Sequence, residues 1–505
     1  MSKGSMVTLF PTDLPSREWV KFPAEGFGKP VSGVIYYNGE VMPGMPLGGL
    51  GTGCISLGTD GTLDYYSTIF NAYMERQIKT LARYNPMVGE NADLGIRRHH
   101  VPTKRLPFLG MTIDDKTWVL TTRGVNWTLT NLTPAQNIQY WGHYPVADLQ
   151  YQTTAPVMVS LRAWSPFLPG QAEESNTPGA IFEVHLHNHS DRTQQGTLAF
   201  SFHGPREFET GGPVSYIHKQ MKGKFSGKVV TSKYAPDQLT YALGVIGNEK
   251  VRIGGETAGS AWQSIGGDLP STPPEHSGAT VAVDFDLAPQ GEQTIRYVLA
   301  WHCPTFQAEE RAPFPGIKGV NEEAGLAWYQ NTDEEADESR LPERSQSTDN
   351  RRYWSHSRLK QMYASRFDNV LDVTGFLAAN HQSLLRRVLA WQEVIYSEAK
   401  LPVWLRDALV NILSILTQES FWVQNADSDH WWGKEGLFVV NESMLSCPQL
   451  ACIANDQAGE WPVHLFFPRL SQNKLRVFKH HQKENGQTPS TLGSGTEPDG
   501  LWYDQ

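Results

Sequence analysis

Cysteine is scarce in this chain, with four residues in 505: Cys54, Cys303, Cys447 and Cys452. Four is too few for a disulfide framework, and buried free thiols in a reducing compartment are the default reading. Cys447 and Cys452 lack a second ligand pair at metal-site spacing, so no metal site is expected. Long apolar runs are also missing. No uncharged apolar stretch approaches ~20 residues, which argues against a spanning helix, and residues 1–19 hold no apolar core of signal-peptide length. The expectation is a soluble, cytoplasmic protein with no transmembrane segment. The sequons Asn126-Trp-Thr and Asn441-Glu-Ser are then chance matches. Positive charge is in deficit: a net charge of −10 disfavours nucleic acid or an anionic membrane as a main partner. Short internal repeats are not visible.

Aromatics, by contrast, are plentiful, and the 16 tryptophans exceed ordinary usage. Indole faces suit the C–H faces of a sugar ring, although large aromatic cores explain the count equally well. At 505 residues the chain is long enough for two or more domains with real cores.

Residues 1–45, rich in Pro and Gly, read as an extended arm. Next comes Pro46-Leu-Gly-Gly-Leu-Gly-Thr-Gly53. It lacks the Gly-Lys-Ser/Thr of a phosphate-binding loop and no clear strand precedes it, so a tight turn with crowded backbone is the better reading. Asp60-Gly61 between alternating apolar residues predicts a hairpin. From Pro107 to Cys303 the pattern has period two, as in Val157-Met-Val-Ser-Leu-Arg-Ala-Trp and Ala180-Ile-Phe-Glu-Val-His-Leu-His. Many such runs, separated by turn residues, predict an antiparallel β-sandwich over residues 46–305. The basic run Arg97-Arg98-His99-His100 reads as a solvated loop.

Residues 306–350 are dominated by Pro, Glu, Asp, Arg and Ser and read as a linker or long excursion. Helical periodicity follows. Leu384, Leu385, Val388, Trp391 and Ile395 share one face, Pro402 opens a second helix, and Ser471 is placed to cap a third over residues 473–483. His480 and His481 there are expected to face solvent. A sandwich followed by helical hairpins resembles an all-β domain docked on an α-toroid, an analogy of fold that does not establish function.

One stretch carries the chemistry. Between Asp429 and Pro468 lie three tryptophans, the apolar run Leu437 to Val440, and then Asn441-Glu442-Ser443. A carboxylate that directly follows an apolar run among aromatics is placed where partial desolvation tunes a reactive acid. Trp431, Trp432 and Asn441 are the candidate substrate-binding residues beside it.

Six stretches together resemble glycoside hydrolase family 116, the β-glucosidases related to the non-lysosomal glucosylceramidase. They are Pro46-Leu-Gly-Gly-Leu-Gly-Thr-Gly-Cys-Ile, Ala163-Trp-Ser-Pro-Phe-Leu-Pro-Gly, Tyr363-Ala-Ser-Arg-Phe-Asp, Pro402-x-Trp-Leu-Arg-Asp-Ala-Leu, Glu442-Ser-x-x-x-Cys-Pro and Leu465-Phe-Phe-Pro-Arg-Leu. The resemblance implies a multidomain architecture: an N-terminal antiparallel β-sandwich, then an (α/α)6 toroid begun by residues 351–505 and present only in part. It implies retaining hydrolysis of β-glucosides or related β-glycosides, glucosylceramide-like glycolipids included, with no cofactor and no metal. By motif the nucleophile falls on Glu442. Animal members carry an Asn-Thr-x-Asp element soon after it, where this chain reads Leu450-Ala-Cys-Ile-Ala-Asn-Asp456, so specificity is expected to differ. The family's acid/base carboxyl falls beyond Gln505, and Asp427, Asp429, Asp456, Glu497 and Asp499 are poor local substitutes. The helical part should therefore expose an apolar patch. Two other readings stay open: an inverting glycosidase or phosphorylase of sandwich-plus-toroid type, and a non-catalytic glycan-binding remnant.

Overall fold

The computed structural model describes residues 19–37, 42–71, 107–123, 132–210, 213–233, 238–247, 250–307, 358–425, 435–443, 447–451, 460–480, 482–488 and 493–494. Its centre is a ten-stranded antiparallel sheet. In spatial order its strands are Trp19–Phe22, Val31–Tyr36, Asn137–His143, Val146–Gln152, Val157–Trp164, Gly179–Asn188, Glu292–His302, Thr240–Ile246, Phe225–Lys233 and Ser215–Met221. Residues 19–36, expected to be extended arm, thus supply two outer strands.

A second, six-stranded sheet faces the central strands of the first, in the order Val251–Gly254, Ala279–Leu287, Gln194–Phe202, Leu109–Ile113, Lys116–Val119 and Leu132–Pro134. Alternation of side chains explains this packing. In strand Gly179–Asn188, Ala180, Phe182, Val184 and Leu186 enter the core shared with the second sheet, while Ile181 enters a different cluster. Phe182 and Phe200, from opposite sheets, meet edge to face at 4.9 Å, and the Tyr297 hydroxyl donates across the gap to the Leu198 carbonyl at 2.8 Å. The result is a large β-rich N-terminal unit packed as a sandwich is.

The odd-facing residues explain what covers the other side. Val298, Ala300, Ile181 and Trp164 pack against helix α1, Val370–Tyr396, through Val370, Val373, Leu377, Leu384 and Val388. Asn369 caps α1 in a reciprocal box with Asp372: its side-chain oxygen accepts from the Leu371 amide at 2.8 Å, and its own amide donates to the Asp372 carboxylate at 3.2 Å. Helix α2, Val403–Asn411, follows after a short turn, with Pro402 at its cap.

After the short helical turn Ile415–Gln418 the chain departs from the helical expectation. Ser420–Asn425, Leu437–Ser443, Cys447–Leu450 and Gly493–Ser494 join Thr305–Gln307 and Arg358–Gln361 in a third sheet, also six-stranded. Runs such as Ser420-Phe-Trp-Val-Gln are only a few residues long and rich in aromatic and β-branched side chains, which favours strand over helix. These described residues do not establish the toroid. Helices α3, Trp461–Phe466, and α4, Pro468–His480, lie between the strands Cys447–Leu450 and Gly493–Ser494. Helix α4 begins at Pro468, five residues before the expected start, because proline suits the first helical turn. Ser471 lies inside it, buried and paired with His464. His480 is exposed, whereas His481, the basic run at 97–100 and residues 308–350 of the expected linker lie outside the described residues, and 306–307 belong to strand Thr305–Gln307.

Candidate active site

Glu442 lies in strand Leu437–Ser443, separated by Asn441 alone from Leu437, Phe438, Val439 and Val440, which are all buried. The strand pairs on one side with Ser420–Asn425, with Ser420 opposite Val440 and Trp422 opposite Phe438. On the other side it pairs with Cys447–Leu450, and there the register shifts between Asn441 and Ser443. Such irregularities re-aim a side chain and occur often beside active sites. For Asn441 and Glu442 the structure describes the backbone and not the side chains. Trp431, Trp432, Asp427, Asp429, Asp456, Glu497 and Asp499 lie outside the described residues.

The strand is gripped from several directions. The Trp422 indole stands edge to face on Phe438 at 6.1 Å and donates to the Glu435 carbonyl at 2.8 Å. From α4, Asn473 donates to the Gly436 carbonyl. Lys474 and Glu460 form a buried ion pair beside it, and Val463, Phe467 and Leu470 share a core with Phe438 and Val440.

Residues far apart in sequence meet here. The turn Gly48–Gly53 lies against strand Ser420–Asn425, with the Gly51 amide donating to the Ser420 hydroxyl at 2.7 Å. It is the crowded turn that the sequence implied: Gly51 has φ +66°, and a Cβ there would sit 2.5 Å from the Trp422 Cβ. Asn176 Nδ2 donates to the Leu50 carbonyl at 2.7 Å, and Trp301 Nε1 to that of Thr52 at 2.8 Å. Phe167 meets Phe467 edge to face at 5.9 Å, and its carbonyl accepts from Trp391 Nε1 at 3.2 Å. The Tyr363 hydroxyl accepts from the Cys303 amide at 2.8 Å.

Sequence reasoning missed Glu419. This buried acid directly precedes Ser420, so the same ladder that pairs Ser420 with Val440 carries it alongside Asn441. Its signal mirrors that of Glu442, an acid abutting an apolar strand, here at the strand's start. Burial pushes the Cys54 thiol up to about 12, the Thr68 hydrogen bond opposes this, and the Glu419 charge adds to it. The Tyr66 hydroxyl is raised well above its ordinary value by burial first, then by Cys54 and Glu419. Glu419 also lines an open, mostly apolar surface groove with Leu409, Ile412 and Ile415.

Among the described residues, no group of three or more His, Cys, Asp or Glu side chains could hold a metal ion, and no helix is long and apolar enough to cross a membrane. The chemistry open to this region is that of carboxyl groups at the edge of an apolar sheet. Protonation and charge there are set by burial and by neighbouring acids.

The comparisons with known proteins fit this picture unevenly. No curated protein matches the chain. Solved structures that match include a candidate kojibiose phosphorylase from the human microbiome, with 8% identity and a TM-score of 0.23 over 38% of this chain and 21% of that one. A polysaccharide lyase matches with 7% identity and a TM-score of 0.21, over 39% and 25%. A candidate aldose 1-epimerase from Klebsiella pneumoniae subsp. pneumoniae matches with 11% identity and a TM-score of 0.20, over 49% and 76%. The chain thus spans a quarter or less of the first two, and TM-scores this low carry no weight for its function. The sequence match is of another kind: the family model described as beta-glucosidase 2, glycosyl-hydrolase family 116 N-term, covers residues 44–375, more than half of the chain. The chain belongs to glycosyl hydrolase family 116.

Proposed function

We propose that this protein is a retaining glycoside hydrolase acting on β-glucosides or related β-glycosides, glucosylceramide-like glycolipids among them, with Glu442 as its nucleophile. The observation that carries the reading is the packing of the family's glycine-rich turn Gly48–Gly53 against strand Ser420–Asn425, the ladder neighbour of the strand that runs through Asn441 and Glu442. On this reading α1 and α2 belong to an (α/α)6 toroid, residues 46–305 are the accompanying sandwich, and 351–505 are part of the catalytic unit. Trp431, Trp432 and Asn441 line the sugar site. The buried free thiol at Cys54 accords with a reducing, cytoplasmic setting.

A retaining enzyme needs two carboxyl groups about 5–5.5 Å apart. Glu442, ionised, attacks the anomeric carbon, and the bond to the leaving oxygen breaks as a second, protonated carboxyl gives that oxygen its proton. Water then hydrolyses the glycosyl ester, assisted by the second group as base, and the β-anomer is released. The acid/base role is assigned to no residue of this chain. Glu442→Gln should lower kcat on an activated aryl β-glucoside by roughly 10⁴-fold or more while the melting profile stays unchanged. A mechanism-based fluoroglucoside should label Glu442, as read by peptide mass spectrometry. Label on another carboxylate, or normal turnover by the variant, rejects the assignment. First release of the α-anomer would instead favour the inverting class.

A further inference from the structure

We infer that the contact between Gly51 and Ser420 is a positioning device, through which the sandwich sets the place of the strand bearing Glu442. The inference builds on the reading of Glu442 as nucleophile. Its physical part stands on the contact itself.

The turn Gly48–Gly53 is fixed from the sandwich side at consecutive residues. The Leu50 amide donates to the Ser175 carbonyl at 2.7 Å, the Leu50 carbonyl accepts from Asn176, and the Thr52 carbonyl accepts from Trp301. With its neighbours held, the Gly51 amide has one direction to point, and it meets the buried Ser420 hydroxyl at 2.7 Å. The approach is close: a Cβ on Gly51 would lie 2.9 Å from the Trp422 amide nitrogen as well as 2.5 Å from its Cβ. Ser420 pairs with Val440, so Glu442 lies two residues beyond a pair whose other member is tied to the sandwich. Catalysis by a carboxylate depends on placement to a fraction of an ångström. A polar tie of this kind costs little in contact area yet transmits position.

Loss of the Ser420 hydroxyl leaves the Gly51 amide buried without its partner, which frees the strand to shift. The test is hydrogen exchange in the whole 505-residue chain, read on the peptide covering 437–443. In Ser420→Ala its exchange should rise about tenfold or more, with strands Gly179–Asn188 and Glu292–His302 unchanged. Ser420→Thr and Ser420→Val form a second, nearly isosteric pair, of which only the first keeps the acceptor; the Thr variant should exchange as wild type and the Val variant faster. Unchanged exchange in Ser420→Ala, or equal exchange in the Thr and Val variants, overturns the inference. Inactivation by the fluoroglucoside then separates positioning from general weakening. Its maximal rate should fall about tenfold in the Val variant while half-saturation moves less than about twofold. A wild-type inactivation rate in the Val variant also overturns it. Label at a carboxylate other than Glu442 would sink the nucleophile reading and leave the exchange result to decide the contact.

Discussion

Asp148 is half-buried and has Arg162 across from it, with two hydrogen bonds of 2.8 and 2.7 Å, and His143 Nε2 at 3.3 Å. Burial alone would raise its carboxyl, but the guanidinium charge and these bonds outweigh it and hold the group well below the usual carboxylate range. A carboxylate depressed by folding contributes stability above its unfolded value of about 3.9 and loses that contribution as the pH falls below it. The expected outcome is that wild type exceeds Asp148→Asn in stability at neutral pH and that the gap closes between about pH 4 and 2. Urea midpoints across that range measure it, and a gap independent of pH would show that the ion pair is not its source. None of this was legible in sequence, where Asp148 is one polar residue in an alternating strand.

At the scale of elements, α1 is the clearest case of a pattern read in part. The periodicity of Leu384, Leu385, Val388 and Trp391 marked its buried face. It gave no sign that Gln392 closes that face, since a glutamine in a helix ordinarily reads as solvated. In the fold Gln392 is fully buried, donating to the carbonyls of His143 at 2.6 Å and Tyr144 at 2.8 Å, with its own oxygen 2.9 Å from His143 Nδ1. One side chain thereby ties α1 to the strand Asn137–His143 and the residue after it. Gln392→Leu keeps the approximate volume but strands two carbonyls, a loss of about 1–3 kcal/mol for each group left unpaired. Thermal unfolding should show a clear fall in Tm, whereas Arg386→Ala, on the exposed face of the same helix, should change it little. Equal effects from the two would argue against the tie.

In the whole molecule, the large sheet is covered on one side by the second sheet and on the other by α1, so its central strands are buried on both faces. Apolar area lost from water is the dominant stabilising term, and Trp164, Tyr297 and Trp301 are among the largest side chains fully enclosed. Amides of Gly179–Asn188 and Glu292–His302 are therefore expected to exchange only through global unfolding, more slowly than those of α2. Exchange of α2 at the same rate would show one cooperative unit. Exposure is distributed in the opposite sense: of the ten large apolar side chains exposed among the described residues, seven lie between Val394 and Leu475, including Trp404, Ile412, Trp461 and Leu465.

The sequence by itself determined the elements whose signal is local. Period-two alternation marked the sandwich strands, the Asp60-Gly61 turn marked its hairpin, and the glycine cluster marked a turn too crowded for side chains. The tertiary structure decided what short apolar runs become. Ser420–Asn425 and Leu437–Ser443 are too brief to carry a period, and they are strands because each finds a partner across the third sheet. It also decided which turn lies against which strand. Gly51 and Ser420 are 369 residues apart, and neither residue's neighbours in sequence contain the other. A contact of that range follows only from burying both sheets and α1 at once, because that packing brings the two segments within hydrogen-bond reach.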